Sequence, residues 1–336
     1  MKKMLWLLSA VLILSACVQQ KATQTEYIKN SGMIYGTFYN LTYQHPEGKD
    51  LQEEVMKVFK QFDLSLSTFN DSSVISRINR NDESIQTDAH FERMYQQAEI
   101  VSTLTGGAFD ITVAPLVNAW GFGFGKQNRS ATPNVDSILA FTGFHKLQLI
   151  DHRIVKTDPR IMLDASAIAK GQASDVVAAF LEEQGCVNYM VEIGGEVTCK
   201  GMNPKGDDWQ IGIDMPIDDP AVEDRSLQTI VAISDVGLAT SGNYRQYYYR
   251  NNKKYAHTIN PRTGYPVDHN LLSATVIAPT CMQAEAFATA FMVLGVDSSL
   301  VVCNQVADME CYLIYSDENG AFQVAQSAGF GKYIAE

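Results

Sequence analysis

From Leu147 onward the chain is cut into short apolar stretches separated by turns, and hairpin-like pairs outnumber strand–helix–strand units. Strands are expected within residues 154–163 (two short ones) and at 189–200, 209–215, 229–235, 247–249, 272–278, 311–315 and 322–326. Helices are expected at 169–184, 282–294 and 298–306. A doubly wound parallel sheet needs a crossover after each strand, so this order predicts an α+β fold of mainly antiparallel sheets with flanking helices. Upstream, a strand over 32–43 breaks at His45-Pro46. An amphipathic helix over 51–64 sets Val55, Val58, Phe59 and Phe62 on one face, and a short helix capped by Asp71 or Ser72 runs through Asn79. A helix over 91–105 stops at Gly106-Gly107, and residues 121–130 read as a mobile glycine-rich loop. Neither G-x-G-x-x-G nor a Walker loop is present, which excludes the two standard glycine cradles for dinucleotides and phosphates.

The N-terminus carries an address. Lys2 and Lys3 precede an apolar run over 5–14 that is too short to span a membrane, and the run ends in L-S-A-C. The pattern is that of a bacterial lipoprotein: a signal peptide over 1–16, lipidation at Cys17, a polar tether over 17–30, and an extracytoplasmic protein held to the membrane by its lipid. Loss of the signal leaves 24 basic against 38 acidic residues, a net charge of −14. Such a balance argues against nucleic acid and against broad docking on anionic lipid, and a protein of this charge that handles phosphates needs a cation. Cys186, Cys199, Cys281, Cys303 and Cys311 form no C-x-x-C pair, so zinc is not indicated; two disulfides or buried thiols both suit them. The residues after the tether, 31–336, are enough for one or two domains.

The polar groups concentrate in a few places. H-T-I-N-P-R-T-G-Y-P, 257–266, holds an imidazole, a guanidinium and two hydroxyls on a loop punctuated by Asn260-Pro261 and Thr263-Gly264. Clustered polar groups on a loop rarely arise for packing, which singles out His257 among the histidines. Glu285 and Thr289 lie at i and i+4 on one face of the small-residue helix over 282–294. Burying that carboxylate among apolar neighbours is costly without a cation or a partner. In L-D-A-S-A-I-A-K-G, 163–171, a strand ends at Asp164 and a helix begins near Ala169. Its small residues let a ligand approach the backbone; capping by Asp164 or Ser166 is the plainer reading. In G-A-F-D-I-T-V-A-P-L-V, 107–117, a buried-looking strand carries Asp110, either a ligand contact or a satisfied turn acid. A-T-S-G-N-Y-R, 239–245, reads as a glycine turn.

In their order along the chain, from S-T-F-N-D-S-S-V-I-S-R-I-N at Ser67 to the helix that carries Glu285 and Thr289, these motifs resemble the FAD:protein FMN transferase family, the ApbE-like flavin transferases. The resemblance covers Gly32 to the C-terminus and implies a single catalytic domain over 31–336 with the family's T-fold-like architecture. It implies Mg2+-dependent transfer of FMN from FAD to a Thr or Ser hydroxyl of an acceptor protein, with AMP released. FAD would meet Phe69, Ala108, Phe109, Asp110, Asp164, Lys170 and Ile259. The metal would be held by the carbonyl of Ala167 with Glu285 and Thr289, and His257 would be the catalytic histidine. The implied partners are flavoprotein subunits of extracytoplasmic electron-transfer complexes. Two positions depart from the family pattern: Glu285 stands where aspartate is usual, and Tyr35 where methionine is usual. A metal-dependent FAD pyrophosphatase and a non-catalytic flavin-binding lipoprotein are the alternatives.

Overall fold

The computed structural model describes residues 26–124, 132–217, 226–243 and 247–335. The signal peptide, Cys17, the tether as far as residue 25, residues 125–130 of the glycine-rich loop, and Tyr244 with Arg245 lie outside the described residues.

In chain order the regular elements begin with β1 (Ile28–Ile34), β2 (Thr37–Tyr43), α1 (Gln52–Leu66), α2 (Val74–Asn79), α3 (Ala89–Leu104), α4 (Ala114–Ala119) and α5 (Val135–Leu139). Next come β3 (Leu147–Ile150), β4 (Arg153–Lys156), α6 (Ala169–Glu183), β5 (Tyr189–Ile193), β6 (Glu196–Lys200), β7 (Trp209–Asp214), β8 (Leu227–Ile233) and β9 (Val236–Gly242). The last are β10 (Tyr247–Arg250), β11 (Lys253–Ala256), β12 (Leu271–Ala278), α7 (Cys281–Leu294), α8 (Val296–Cys303), β13 (Glu310–Ser316) and β14 (Phe322–Gln326). Eight strands form one sheet in the order β1-β2-β5-β6-β9-β12-β13-β14, and every neighbouring pair is antiparallel. Three separate hairpins, β3-β4, β7-β8 and β10-β11, complete the α+β architecture expected from the hairpin pattern.

Two of the expected strands are hairpins. Residues 32–43 turn back at Tyr35 (φ 51°) and Gly36 (φ 76°), and residues 189–200 at Gly194 and Gly195. Turns of two residues with positive φ match the strand twist but leave no polar gap in the sequence. The first strand starts at Ile28, inside the stretch read as tether. Residues 107–117 contain no strand. Asp110 accepts from the Thr112 N–H and starts a 3-10 turn over Ile111–Val113, and α4 follows with Pro115 in its first turn, where a missing N–H costs nothing. Only one strand, β4, lies within 154–163, so the strand expected to end at Asp164 is an irregular segment. Ala239–Gly242, expected as a turn, ends β9, and α2 is capped by Ser73, whose Oγ accepts from the Ser76 N–H.

The sheet is covered on both faces. On one side α7 lies across β9 and β12 and α6 lies beside it across β5 and β6, with α3 packed against α7. Its Ala284, Ala286, Phe287, Ala288, Ala290 and Phe291 have no exposed surface. Each such phenylalanine contributes about 1.5–3 kcal/mol by leaving water. The approach is close enough to require glycine. A Cβ at Gly237 would stand 2.1 Å from the Cys281 nitrogen, and one at Gly171 would stand 2.4 Å from the Cys281 carbonyl oxygen. On the opposite face Trp209, Ile213, Val231 and Ile233 from the β7-β8 hairpin pack with Phe330 against Val197, Leu238 and Ile314. Cys186, Cys199, Cys281, Cys303 and Cys311 are buried free thiols, so the reading without disulfides holds among the described residues.

Candidate active site

The loop after β11 is pinned from several sides. Ile259 bridges to Pro266, the Asn260 N–H donates to the Tyr265 carbonyl at 2.9 Å, and the Gly264 N–H donates to the Asn260 carbonyl at 2.7 Å. The Trp120 indole N–H donates to the Gly264 carbonyl at 2.8 Å, and the Thr258 hydroxyl to Asn243 Oδ1 at 2.6 Å. His257, the first residue of this loop, sets its ring edge-on to Phe122 with centroids 6.4 Å apart. An imidazole is thus held on a rigid frame beside open space, a placement suited to proton transfer.

Facing it, α6 begins without a side chain of its own to cap it, and α7 supplies the cap. Glu285 reaches across from α7, and its Oε2 accepts from the Gly171 N–H at 2.8 Å. Gly171 stands in the first turn of α6, where backbone N–H groups have no partner within the helix, and Glu285 satisfies this one; Ala167 lies just before the N-cap Ile168. The other carboxylate oxygen, Oε1, accepts from the Lys170 ammonium. One turn along α7, the Thr289 hydroxyl shares a hydrogen bond with Ser241 at 3.2 Å. A second carboxylate, Glu196 at the start of β6, lies 3.3 Å from Lys170 Nζ. Burial works against the Lys170 charge, but Glu196 and Glu285 outweigh it and hold its pKa above the ordinary lysine value. Burial and the neighbouring Glu285 charge push the Glu196 pKa up, and the Lys170 ammonium pulls it back down.

Asp110 and Asp164 organise the loops beside this cluster. Asp110 Oδ1 accepts from the Thr112 N–H and hydroxyl, and Oδ2 from the Phe144 N–H at 2.7 Å. Burial still raises its pKa. Of the two readings of Asp110, its carboxylate contacts fit the satisfied turn acid. Asp164 Oδ1 accepts from the Ser166 N–H at 2.8 Å, and the Asp164 N–H donates to the Ile111 carbonyl at 2.8 Å, tying the two loops together.

The structure brings almost all of the expected site residues to one place. Ala108, Phe109, Asp110, Asp164, Ala167, Lys170, His257, Ile259, Glu285 and Thr289 line a single cavity of about 410 Å³. Phe69 does not line it. That ring is 86% exposed, on the rim of a second cavity of about 1130 Å³ walled by Tyr35, Met56, Phe59, Phe62 and Leu66. Tyr35 is fixed in that wall by donating its hydroxyl to the Phe59 carbonyl at 2.6 Å. Ser166, Lys170 and His257 border both cavities, so a polar chamber and an apolar one meet at an ammonium and an imidazole. Sequence reasoning missed Glu196 and gave no role to Ser241. The signal for Glu196 was its place directly after a Gly-Gly turn, opposite Ile193 on the helix-facing side of the sheet.

The sequence profile of the ApbE family matches residues 35–313. The chain belongs to the ApbE family. It is 36% identical to the FAD:protein FMN transferase of Haemophilus influenzae, over 99% of this chain and 98% of that one. It is 35% identical to the protein of the same name from Vibrio cholerae, with both chains covered in full. Among solved structures, the flavin transferase ApbE from Vibrio cholerae superposes with a TM-score of 0.81 at 35% identity, covering 92% of this chain and 99% of the other. The apo flavinyl transferase ApbE of Pseudomonas stutzeri gives 0.80 at 29% identity, covering 93% and 98%.

Proposed function

We propose that this protein transfers FMN from FAD to a Ser or Thr hydroxyl of an acceptor protein, with Mg2+ as the cation. The observation that carries this reading is the junction of the two cavities. A dinucleotide with two ring systems and a central diphosphate needs apolar space, a polar chamber and a cation where they meet, and Lys170 stands at that boundary. Membership of the ApbE family and the relatives named as FAD:protein FMN transferases support the same reading.

The donor set suits a hard cation. Glu285 offers a carboxylate, Thr289 a hydroxyl and Ala167 a backbone carbonyl just before α6, all of them oxygen ligands on the same cavity. Among the described residues no group of three or more His, Cys, Asp or Glu side chains is arranged to hold a metal. A few protein oxygens completed by substrate phosphates and water are the usual way Mg2+ is held. When bound, it would neutralise charge on the diphosphate. In the transfer, the acceptor oxygen bonds to the FMN-side phosphorus and the bond from that phosphorus to the bridging oxygen breaks. AMP leaves with the bridging oxygen, and His257 takes the hydroxyl proton. Lys170 faces the diphosphate with a fixed charge. The signal-like N-terminus supports export and anchoring through Cys17, and with the family resemblance it supports extracytoplasmic electron-transfer subunits as the acceptors.

Replacing the imidazole separates binding from chemistry. His257→Ala is expected to bind FAD within a few-fold of the parent while transfer falls by roughly 10²–10⁴, the usual worth of a positioned base. Unchanged transfer in this variant would remove His257 from the mechanism.

A further inference from the structure

Glu196 has no part in the transfer as described above. It opens β6, its side chain is only 7% exposed, and it borders the same cavity as Glu285 and Thr289. Its Oε1 stands 3.3 Å from Lys170 Nζ, yet its Oε2 is buried without a hydrogen-bond partner among the described residues. A buried carboxylate oxygen left unpaired is unfavourable, and each such group calls for an explanation. Lys170 supplies one. Its ammonium occupies Glu285 Oε1, while Oε2 of the same carboxylate is taken by the Gly171 N–H. A divalent cation that binds Glu285 must therefore compete with Lys170 for an oxygen, and the displaced ammonium needs somewhere to go.

We propose that Glu196 receives Lys170 when a divalent cation takes Glu285, which keeps the ammonium beside the cation and facing the diphosphate. Glu196 is then a positioning residue: it acts through Lys170 and not as a ligand. The inference rests on the cation reading of Glu285 given above. Without Glu196 the ammonium has Glu285 as its one carboxylate among the described residues, resists displacement, and weakens cation binding.

A double-mutant cycle on Mn2+ binding tests this. Free Mn2+ is followed by electron paramagnetic resonance as it is titrated into the full-length protein with ADP present, a diphosphate that carries no FMN to transfer. Glu196→Gln is expected to weaken Mn2+ binding about tenfold when Lys170 is present and less than about twofold in a Lys170→Met background, the non-additivity of residues that act as a unit. Glu196→Asp keeps the charge but withdraws the oxygens by one methylene. It is expected to show the same dependence on Lys170, and it serves if the Gln variant does not fold. An equal loss in both backgrounds would mean that Glu196 meets the cation directly, and no loss in either variant would mean that it does not position Lys170; both overturn the inference. Failure of the parent protein to bind Mn2+ would remove the cation reading itself, and this inference with it.

Discussion

Glu285 joins two helices through one carboxylate: it caps the first turn of α6 from α7 and holds Lys170. Glu285→Gln keeps the shape and removes the charge. The Mg2+ concentration for half-maximal transfer is expected to rise by about tenfold or more, in the range known for weakened metal sites, as read from a titration of rate against Mg2+. His269 shows a different kind of constraint. The Leu271 N–H donates to its Nδ1 at 3.3 Å, so its Nε2 carries the proton and donates to the Met292 carbonyl at 2.9 Å. Burial lowers its pKa below 6.5, against the pull of the backbone carbonyls. A histidine that resists protonation in the fold contributes stability that is present above its unfolded value and is lost as pH falls from there through its folded value. The melting temperature is expected to drop between about pH 7 and pH 5, and His269→Gln is expected to flatten that part of the profile. An equally steep drop in the variant would assign the acid sensitivity to other groups.

At the scale of elements, α7 governs the site because it is packed on nearly every side and leaves Glu285 and Thr289 on the face toward α6 and β9. Its tight seat depends on glycines in its neighbours. Gly→Ala inside a helix ordinarily stabilises by about 1 kcal/mol. At Gly171 the added Cβ would meet the Cys281 carbonyl oxygen at 2.4 Å, and the helices would have to separate. Gly171→Ala is therefore expected to destabilise by about 1–3 kcal/mol, the usual cost of overpacking, and to loosen the Glu285 cap. Denaturant unfolding checks the sign. The helices were legible because apolar spacing and glycine stops mark them, as at α6 and Gly185. The hairpins at Tyr35-Gly36 and Gly194-Gly195 were not, because a turn of only two residues barely interrupts the strand-like pattern on either side of it. The 3-10 turn at Ile111 was read as a strand because β-branched residues dominate there, while the cap by Asp110 and the helix start at Pro115 decide the conformation.

Across the whole molecule, residues from α6, the loop after β11 and α7, with Lys170 and Glu285 115 positions apart in the chain, meet where a polar and an apolar cavity join. The individual motifs at Asp110, Asp164, Lys170, His257 and Glu285 could be read because each concentrates polar groups among small or apolar ones. Their meeting in one cavity could not, since it depends on the antiparallel order β6-β9-β12 and on the register that sets Glu196 opposite Ile193. The pairing of Lys170 with both carboxylates is likewise a product of the assembled sheet and helices. The most direct test of the central claim is the intact mass of a candidate acceptor domain after incubation with this protein, FAD and Mg2+. The account predicts a gain of one FMN phosphoryl group on a Ser or Thr, lost when EDTA is added. FMN and AMP released while every acceptor offered stays unmodified would contradict it and leave a hydrolase in its place.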